Sequence, residues 1–85
     1  MEDKFYTYLL QSQFDKSFYI GQTKNLEQRL ILHNKGHTKS TMAKRPWKIV
    51  YFEVFDTRSE AIQRERFLKK QRNKAFYQRL IDTKS

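Results

Sequence analysis

The pattern of hydrophobic and polar positions along the chain predicts three strands and three helices. Aromatic and branched residues concentrate in three short runs that are bounded by polar or turn-forming residues, which is typical of strands. The strands are expected at residues 5–10, 18–20 and 47–55. Apolar residues at helical spacing predict the helices. The helices are expected at residues 25–35, 57–71 and 73–81.

Residues that commonly begin or end helices support these boundaries. Asn25 is a typical N-cap residue, and Gly36 stands where a left-handed residue ends a helix. Thr57 and Glu60 have the spacing of a capping box. The segment 36–46 is expected to be a basic loop. The resulting order, β-β-α-β-α-α, predicts an α+β fold in which a small three-stranded antiparallel sheet is flanked by helices.

Two of the predicted helices carry charged or polar residues on their apolar faces. Glu65 lies between Ala61 and Leu68 on the inward stripe of its helix, where a carboxylate must be paired, protonated or bound to a metal ion. An ion pair with a neighbouring arginine explains the pattern equally well. His33 lies near the apolar face of the first helix, with Arg29 at the margin. A lone histidine in such a place is more often a satisfied core residue than a ligand.

The tyrosines of the first two strands are, taken singly, most simply explained as packing residues. Together with their neighbours they resemble the motif of the GIY-YIG nuclease family. Tyr19-Ile20-Gly21 matches the second half of that motif, and Tyr6-Thr7-Tyr8 matches the first half loosely while retaining its last tyrosine. The resemblance covers about residues 4–80 and is closest to small bacterial single-domain members of the UPF0213 type.

Further positions extend the resemblance along the chain. Arg29 follows Tyr19 by ten residues on the next helix, and Glu65 lies on the second major helix, where the family places its metal carboxylate. Two positions depart from larger members. Gln22 stands where these often have lysine, and Tyr77 stands at the spacing of an asparagine, with Asn73 nearby but out of register.

The resemblance implies a Mg²⁺-dependent DNA endonuclease, with Mn²⁺ as an alternative ion and with DNA repair or recombination as the setting. Glu65 would be the one side chain that holds the metal, and Arg29 would bind the phosphate oxygens. Tyr8 or Tyr19 would deprotonate the attacking water while the other orients phosphate or water. Arg29, the metal and His33 would lower the pKa of that tyrosine. In the alternative, His33 accepts the tyrosine proton.

The charge balance favours a polyanionic partner, because 18 lysine and arginine residues against nine acidic ones give a formal net charge of +9. Ten positions are candidates for contacts with the DNA backbone, although each of them is also explained as part of a solvated basic surface. These are Lys24, Lys35, His37, Lys39, Lys44, Arg45, Lys69, Lys70, Arg72 and Lys74.

The length of 85 residues predicts one domain over 1–85, and the resemblance implies that this domain is of the nuclease type. The protein is expected to be a monomer. The absence of cysteine, of a secretory signal and of a long apolar segment predicts a cytoplasmic protein that does not enter a membrane. DNA is the expected partner, and a second protein could supply specificity. Two alternatives stay open: a non-catalytic nucleic-acid-binding protein with a relic site, and an interaction module that needs a larger partner.

Overall fold

The computed structural model, which describes residues 3–84, contains a three-stranded antiparallel sheet in the order β2-β1-β3. The strands are β1 (Phe5–Ser12), β2 (Phe18–Thr23) and β3 (Trp47–Phe55). The helices are α1 (Leu26–Asn34), α2 (Lys39–Met42), α3 (Arg58–Gln71) and α4 (Lys74–Lys84). The predicted α+β fold is confirmed. None of the helices in residues 3–84 has the length and apolar character needed to cross a membrane.

The sequence prediction differs from the structure at strand ends and in one loop. β1 continues through Gln11 and Ser12, which pair with Lys48 and Trp47 of β3. β2 likewise continues to Thr23. Backbone pairing does not need apolar side chains, so the polar ends of these strands gave no signal in the hydrophobic pattern. The predicted basic loop contains the short helix α2, whose four residues offer no apolar periodicity.

A β-bulge in β3, opposite Leu9 and Leu10 of β1, changes the side of the sheet on which the β3 side chains lie. Leu9 pairs with Tyr51, whereas Leu10 pairs with Ile49, so Val50 is the extra residue. Tyr51 and Val50 consequently pack on the α3 and α4 side, and Ile49 packs on the α1 side. The regular alternation of side chains between the two sides of the sheet is therefore interrupted at this point.

The two sides of the sheet have separate cores. Helices α3 and α4 cover one side, where the buried residues are Leu9, Ile20, Tyr51, Leu68 and Tyr77. Helix α1 covers the other side through Leu26 and Leu30, which pack against Tyr8, Leu10 and Trp47. Tyr8, a candidate active-site residue, thus belongs to the smaller of the two cores.

The predicted starts of α1 and α3 and the predicted end of α1 are confirmed by their caps, whereas α4 continues to Lys84, beyond the predicted end at residue 81. The Asn25 side chain accepts a hydrogen bond from the backbone N–H of Gln28, and Thr57 forms a complete capping box with Glu60. Gly36 has a φ of +83° and follows α1. The Gly36 and His37 backbone N–H groups donate to carbonyls of the last turn, as in a Schellman motif, so α1 ends firmly at this point.

Candidate active site

Tyr8 lies on the central strand and is 2% exposed. Its cross-strand partner is Gly21 of β2. A Cβ atom built at residue 21 would lie 2.5 Å from the Tyr8 hydroxyl and 2.7 Å from its Cζ. The Tyr8 ring therefore lies directly against the Gly21 backbone, and any side chain at position 21 would displace it. The close approach of the Tyr8 ring to the backbone explains why residue 21 is a glycine.

The Tyr8 hydroxyl begins a buried chain of hydrogen bonds. It lies 3.1 Å from His33 Nε2, and His33 Nδ1 lies 2.8 Å from the Thr41 hydroxyl. Thr41 donates in turn to the backbone carbonyl of Thr38, at 3.2 Å. His33 and Thr41 are both 0% exposed. Sequence reasoning missed Thr41, although a buried histidine needs partners for both ring nitrogens and a hydroxyl in the next segment can supply one.

Two further predicted residues join this cluster. The Tyr19 ring packs edge-on to His33, with 4.9 Å between ring centroids. The Arg29 side chain, on the preceding turn of α1, hydrogen-bonds the hydroxyl groups of Tyr8 and Tyr19. Arg29 is half-buried, so part of its side chain still reaches the surface. The structure therefore brings Tyr8, Tyr19, Arg29 and His33 together.

Glu65 lies beside this cluster on α3. Its carboxylate is close enough to Tyr8 to act on it electrostatically. The side chain is 18% exposed and forms an ion pair with Lys69, one turn later, at 2.8 Å. Ala61 and Leu68 of the same helix are fully buried. The carboxylate is thus paired with a lysine, where the structural alternative expected an arginine, and Lys69 is exposed enough to move away.

Burial dominates the ionisation of Tyr8 and His33. Burial raises the pKa of Tyr8 to about 12, and the opposing effect of the Arg29 hydrogen bond is smaller. Burial, followed by the charge of Arg29, lowers the pKa of His33 to about 4. The expectation that the neighbours of Tyr8 lower its pKa is therefore wrong for the protein by itself, because desolvation of the phenolate exceeds their effect. At neutral pH the pair is a neutral tyrosine and a neutral imidazole.

The two departures from the larger family members have structural explanations. Gln22 accepts a hydrogen bond from Arg58 at 2.9 Å. Tyr77 is 7% exposed and donates to the Leu68 carbonyl at 2.7 Å, so it belongs to the core. Asn73 accepts from backbone N–H groups at the start of α4 and acts as a helix cap. These contacts do not connect Gln22, Tyr77 or Asn73 to the tyrosine cluster.

The candidate DNA-contacting residues are all exposed and fall mainly into two groups along the chain. One group follows α1 and surrounds α2, and the other covers the end of α3 and the start of α4. Several already have partners: Lys24 pairs with Asp3 and Lys44 pairs with Asp15, both at 3.5 Å. Such exposed pairs are weak and open readily.

The donor set around Glu65 limits what it could hold. No cluster of three or more histidine, cysteine, aspartate or glutamate side chains with metal-binding geometry occurs in the part of the chain that the structure describes. A single half-buried carboxylate fits Mg²⁺ in the form that this ion prefers, with water and phosphate oxygens as most of its ligands. The donor chemistry thus suits a magnesium ion that binds together with a phosphate, and it does not suit a dedicated metal cage.

Comparison with known proteins agrees with this geometry. The family model described as "GIY-YIG catalytic domain" matches residues 4–79. The chain belongs to the GIY-YIG family. A UPF0213 protein from Staphylococcus saprophyticus is 47% identical to this GIY-YIG protein over 64 residues, which cover 74% of this chain and 77% of the relative. A UPF0213 protein from Haloquadratum walsbyi is 41% identical over 70 residues, covering 81% and 78%.

A solved structure resembles the GIY-YIG protein over almost its whole length. It is the solution NMR structure of a UPF0213 protein from Bacillus halodurans, with a TM-score of 0.57 and 27% identity, covering 95% of this chain and 85% of that one. The predicted resemblance to this family and to its UPF0213 members is thereby confirmed. Membership places the protein in a family of nucleases.

Proposed function

We propose that this GIY-YIG protein is a metal-dependent endonuclease that hydrolyses phosphodiester bonds in DNA. The observation that carries the proposal is the convergence of two tyrosine hydroxyls, one guanidinium and one imidazole, with a carboxylate alongside. These groups provide what hydrolysis of a phosphodiester requires: a route for the proton of water, a donor for the phosphate oxygens and a metal ligand.

Tyr8 is the residue we assign to activation of water. A tyrosine whose pKa is raised to about 12 by burial is protonated at neutral pH and cannot act as a preformed base. It can, however, take a proton from water while passing its own proton to His33 Nε2, which lies 3.1 Å away. The neutral imidazole accepts that proton. The geometry therefore favours the alternative in which His33 receives the tyrosine proton.

Arg29 and Tyr19 are assigned to the phosphate. The guanidinium has five donors in a planar fork, and its bonds to the two tyrosines leave donors for the non-bridging phosphate oxygens. Because Arg29 already interacts with Tyr8 and Tyr19, it would lose less side-chain freedom than a fully exposed arginine when the phosphate binds. Tyr19, whose ring packs on His33, orients the phosphate or the attacking water.

Glu65 is assigned as the side chain that holds Mg²⁺, with Mn²⁺ as a substitute. Bound there, the ion supplies neutralisation of the charge that develops on the leaving oxygen. Lys69 pairs with Glu65 in the structure and would have to turn away when the ion binds, which costs little because the lysine is exposed and the pair is local to one helix. Lys69 then becomes available for a neighbouring phosphate.

Cleavage of supercoiled plasmid and of branched DNA tests the proposal. We expect nicking by the wild type in Mg²⁺ or Mn²⁺, none in EDTA, and none by Glu65→Gln. Glu27→Gln is a matched control, because Glu27 is an exposed carboxylate on α1 outside the cluster. Absence of cleavage by the wild type on every DNA form and metal would overturn the proposal.

A binding titration then separates the two remaining alternatives. A relic nuclease would still bind DNA, and its affinity would fall by about 10-fold or more between 50 and 200 mM salt as condensed counterions are released. An interaction module would bind no DNA even at low salt. The net charge of +9 favours binding over the interaction module.

A further inference from the structure

The hydrogen bonds that lead away from Tyr8 end on a group that can only accept. The Thr38 backbone carbonyl has no proton, so the Thr41 hydroxyl must donate to it. That hydroxyl has one proton and therefore faces His33 Nδ1 with a lone pair. His33 Nδ1 must in turn carry a proton for the 2.8 Å contact to be a hydrogen bond.

The same logic continues to the tyrosine. A neutral imidazole carries one N–H, so a proton on Nδ1 leaves Nε2 with a lone pair. The Tyr8 hydroxyl then donates to Nε2 and can still accept from Arg29. One backbone carbonyl thereby sets the direction of the whole chain, from Tyr8 through His33 and Thr41 to Thr38.

We propose that Thr41 is a positioning residue that holds His33 in the Nδ1–H tautomer, so that Nε2 is kept as the proton acceptor for Tyr8. In the opposite tautomer Nε2–H would donate to Tyr8, and His33 could no longer accept the tyrosine proton. The assignment of a role in proton transfer rests on the proposed nuclease function, whereas the assignment of the tautomer does not.

The position of Thr41 is itself tightly fixed. Its backbone N–H bonds the Thr38 carbonyl at 3.1 Å, and its carbonyl accepts from the indole N–H of Trp47 at 2.8 Å. The Trp47 backbone is held by the Asn34 side chain through two hydrogen bonds, of 2.6 and 3.1 Å. The α2 segment is therefore fastened to both α1 and β3, and the Thr41 oxygen cannot drift away from His33.

A purely structural role for Thr41, in which it satisfies a buried polar ring, is the competing explanation. Thr7 offers a matched control for that role. It is also 0% exposed, and its hydroxyl donates to the Ala61 carbonyl at 2.7 Å. Thr7→Val and Thr41→Val make the same chemical change at the same burial. Only the second removes a partner of His33.

Heteronuclear NMR of the histidine ring nitrogens, recorded without DNA or metal, is the deciding measurement. We expect one Nδ1–H tautomer at His33 in the wild type, in Thr7→Val and in Thr41→Ser, which keeps the hydroxyl. In Thr41→Val we expect the Nε2–H tautomer to gain population. A wild-type His33 with its proton on Nε2, or an unchanged tautomer in Thr41→Val, would overturn the proposal.

Cleavage kinetics provide the second readout. We expect Thr41→Val to lower the rate constant for cleavage of bound DNA by about 10- to 100-fold. This is less than the contribution of about 10²- to 10⁴-fold that acid–base catalysis makes, because Tyr8 and His33 themselves are retained. DNA affinity should stay unchanged, since Arg29 and the basic residues are untouched. Thr41→Ser should restore the rate, and Thr7→Val should lower stability alone. A Thr41→Val protein that cuts at the wild-type rate would contradict the role.

The two readouts separate failure of this inference from failure of the proposed function. If the wild type cuts no DNA, the tautomer measurement still decides whether Thr41 sets the state of His33. If Thr41→Val does not fold, Thr41→Ala provides the same loss of acceptor with less bulk. In that case too, a wild-type His33 protonated on Nε2 is enough to reject the proposal.

Discussion

Tyr77 and Tyr8 are buried on opposite sides of the sheet, and they differ in what accepts the proton of the hydroxyl group. Tyr77, on the α3 and α4 side, donates to the Leu68 backbone carbonyl at 2.7 Å. Tyr8, on the α1 side, faces His33 Nε2 at 3.1 Å. A backbone carbonyl cannot take the proton away, whereas an imidazole can. The same residue type is therefore a core residue on one side and a candidate for chemistry on the other.

Two half-buried glutamates repeat the contrast. Glu53 of β3 accepts two hydrogen bonds from Arg64, at 2.8 and 3.0 Å, and a further one from Tyr51. Glu65 has the exposed Lys69 as its ion-pair partner. Their side chains are 20% and 18% exposed. Burial is nearly equal, so the difference lies in how many fixed donors each carboxylate already has and in how easily it can accept a metal ion.

The largest effect expected from this contrast is that of Glu65→Gln, which should abolish metal-dependent cleavage. The substitution keeps the size of the side chain and removes the charge that would bind Mg²⁺. Only one i,i+4 ion pair with the exposed Lys69 is lost, and the half-buried side chain no longer carries a charge, so the free energy of unfolding should change by about 0.5 kcal/mol or less.

Glu53→Gln is the matched control, measured by thermal unfolding and plasmid nicking. It should cost about 1–3 kcal/mol because it removes hydrogen bonds between charged groups, and it should leave cleavage intact. Normal cleavage by Glu65→Gln would remove that residue from the site and leave the family relationship as one of fold.

The next effect is that of Tyr8→Phe, which should lower the cleavage rate by about 10²- to 10⁴-fold, the usual contribution of acid–base catalysis. Tyr77→Phe removes the same atom from the other core and should reduce stability by about 1 kcal/mol without affecting cleavage. Single-turnover cleavage and calorimetry on both variants measure these effects. Equal activities of the two variants would mean that the Tyr8 hydroxyl is only structural.

The sequence predicted the larger elements because each carries a strong local signal. The capping box at Thr57, the N-cap at Asn25 and the apolar run of β3 are local features, and all three are confirmed. Short helix α2 has no such signal. The bulge opposite Leu9 and Leu10 could likewise not be predicted from the sequence, because it depends on how β1 and β3 pair.

The candidate site shows the same difference between features that the sequence indicates locally and features that arise only when separate segments pack together. The resemblance to the family motif was what selected Tyr8 and Glu65 as members of one candidate site. The direction of the Tyr8 pKa shift was wrong because burial of that hydroxyl results from packing by a neighbouring strand and by α1 together. Thr41 was missed for a similar reason, since its relation to His33 exists only once α2 folds against α1.

The α1 side should also be the part of the protein that is more sensitive to mild acid. The pKa of His33 is lowered by burial from 6.5 to about 4. Between these values the unfolded chain binds a proton that the folded protein does not, so stability falls as the pH is lowered from about 6.5 to about 4. The loss is about 1.4 kcal/mol per pH unit, or about 3 kcal/mol in total.

Denaturant unfolding between pH 7 and pH 4 measures this dependence, and His33→Gln should flatten it. Asp15, whose pKa is lowered to about 2 chiefly by the Ser17 hydroxyl, contributes only at lower pH, from about 3.8 downwards. The pH range in which His33 affects stability therefore lies above the pH range in which Asp15 does. A wild-type stability that does not change between pH 6.5 and pH 4 would show that His33 is not buried as described.

The smallest effects concern the two glycines, which are required for different reasons. Gly21 has the Tyr8 hydroxyl 2.5 Å from the position of an added Cβ. Gly21→Ala should push the Tyr8 ring away from His33 and lower cleavage by about 10- to 100-fold, since a displacement of about 1 Å at a reacting group is sufficient for such a loss.

Gly36 has a φ of +83°, where an L-residue is strained, and Gly36→Ala should cost about 1–2 kcal/mol of stability. Its added Cβ would meet chiefly the movable end of Arg45, so cleavage should persist. Cleavage rates, melting temperatures and the NMR signals of His33 in both variants decide the comparison. If Gly21→Ala kept the wild-type rate, the Tyr8 ring would have room to shift without loss, and proton transfer to His33 would not depend on the close approach seen here.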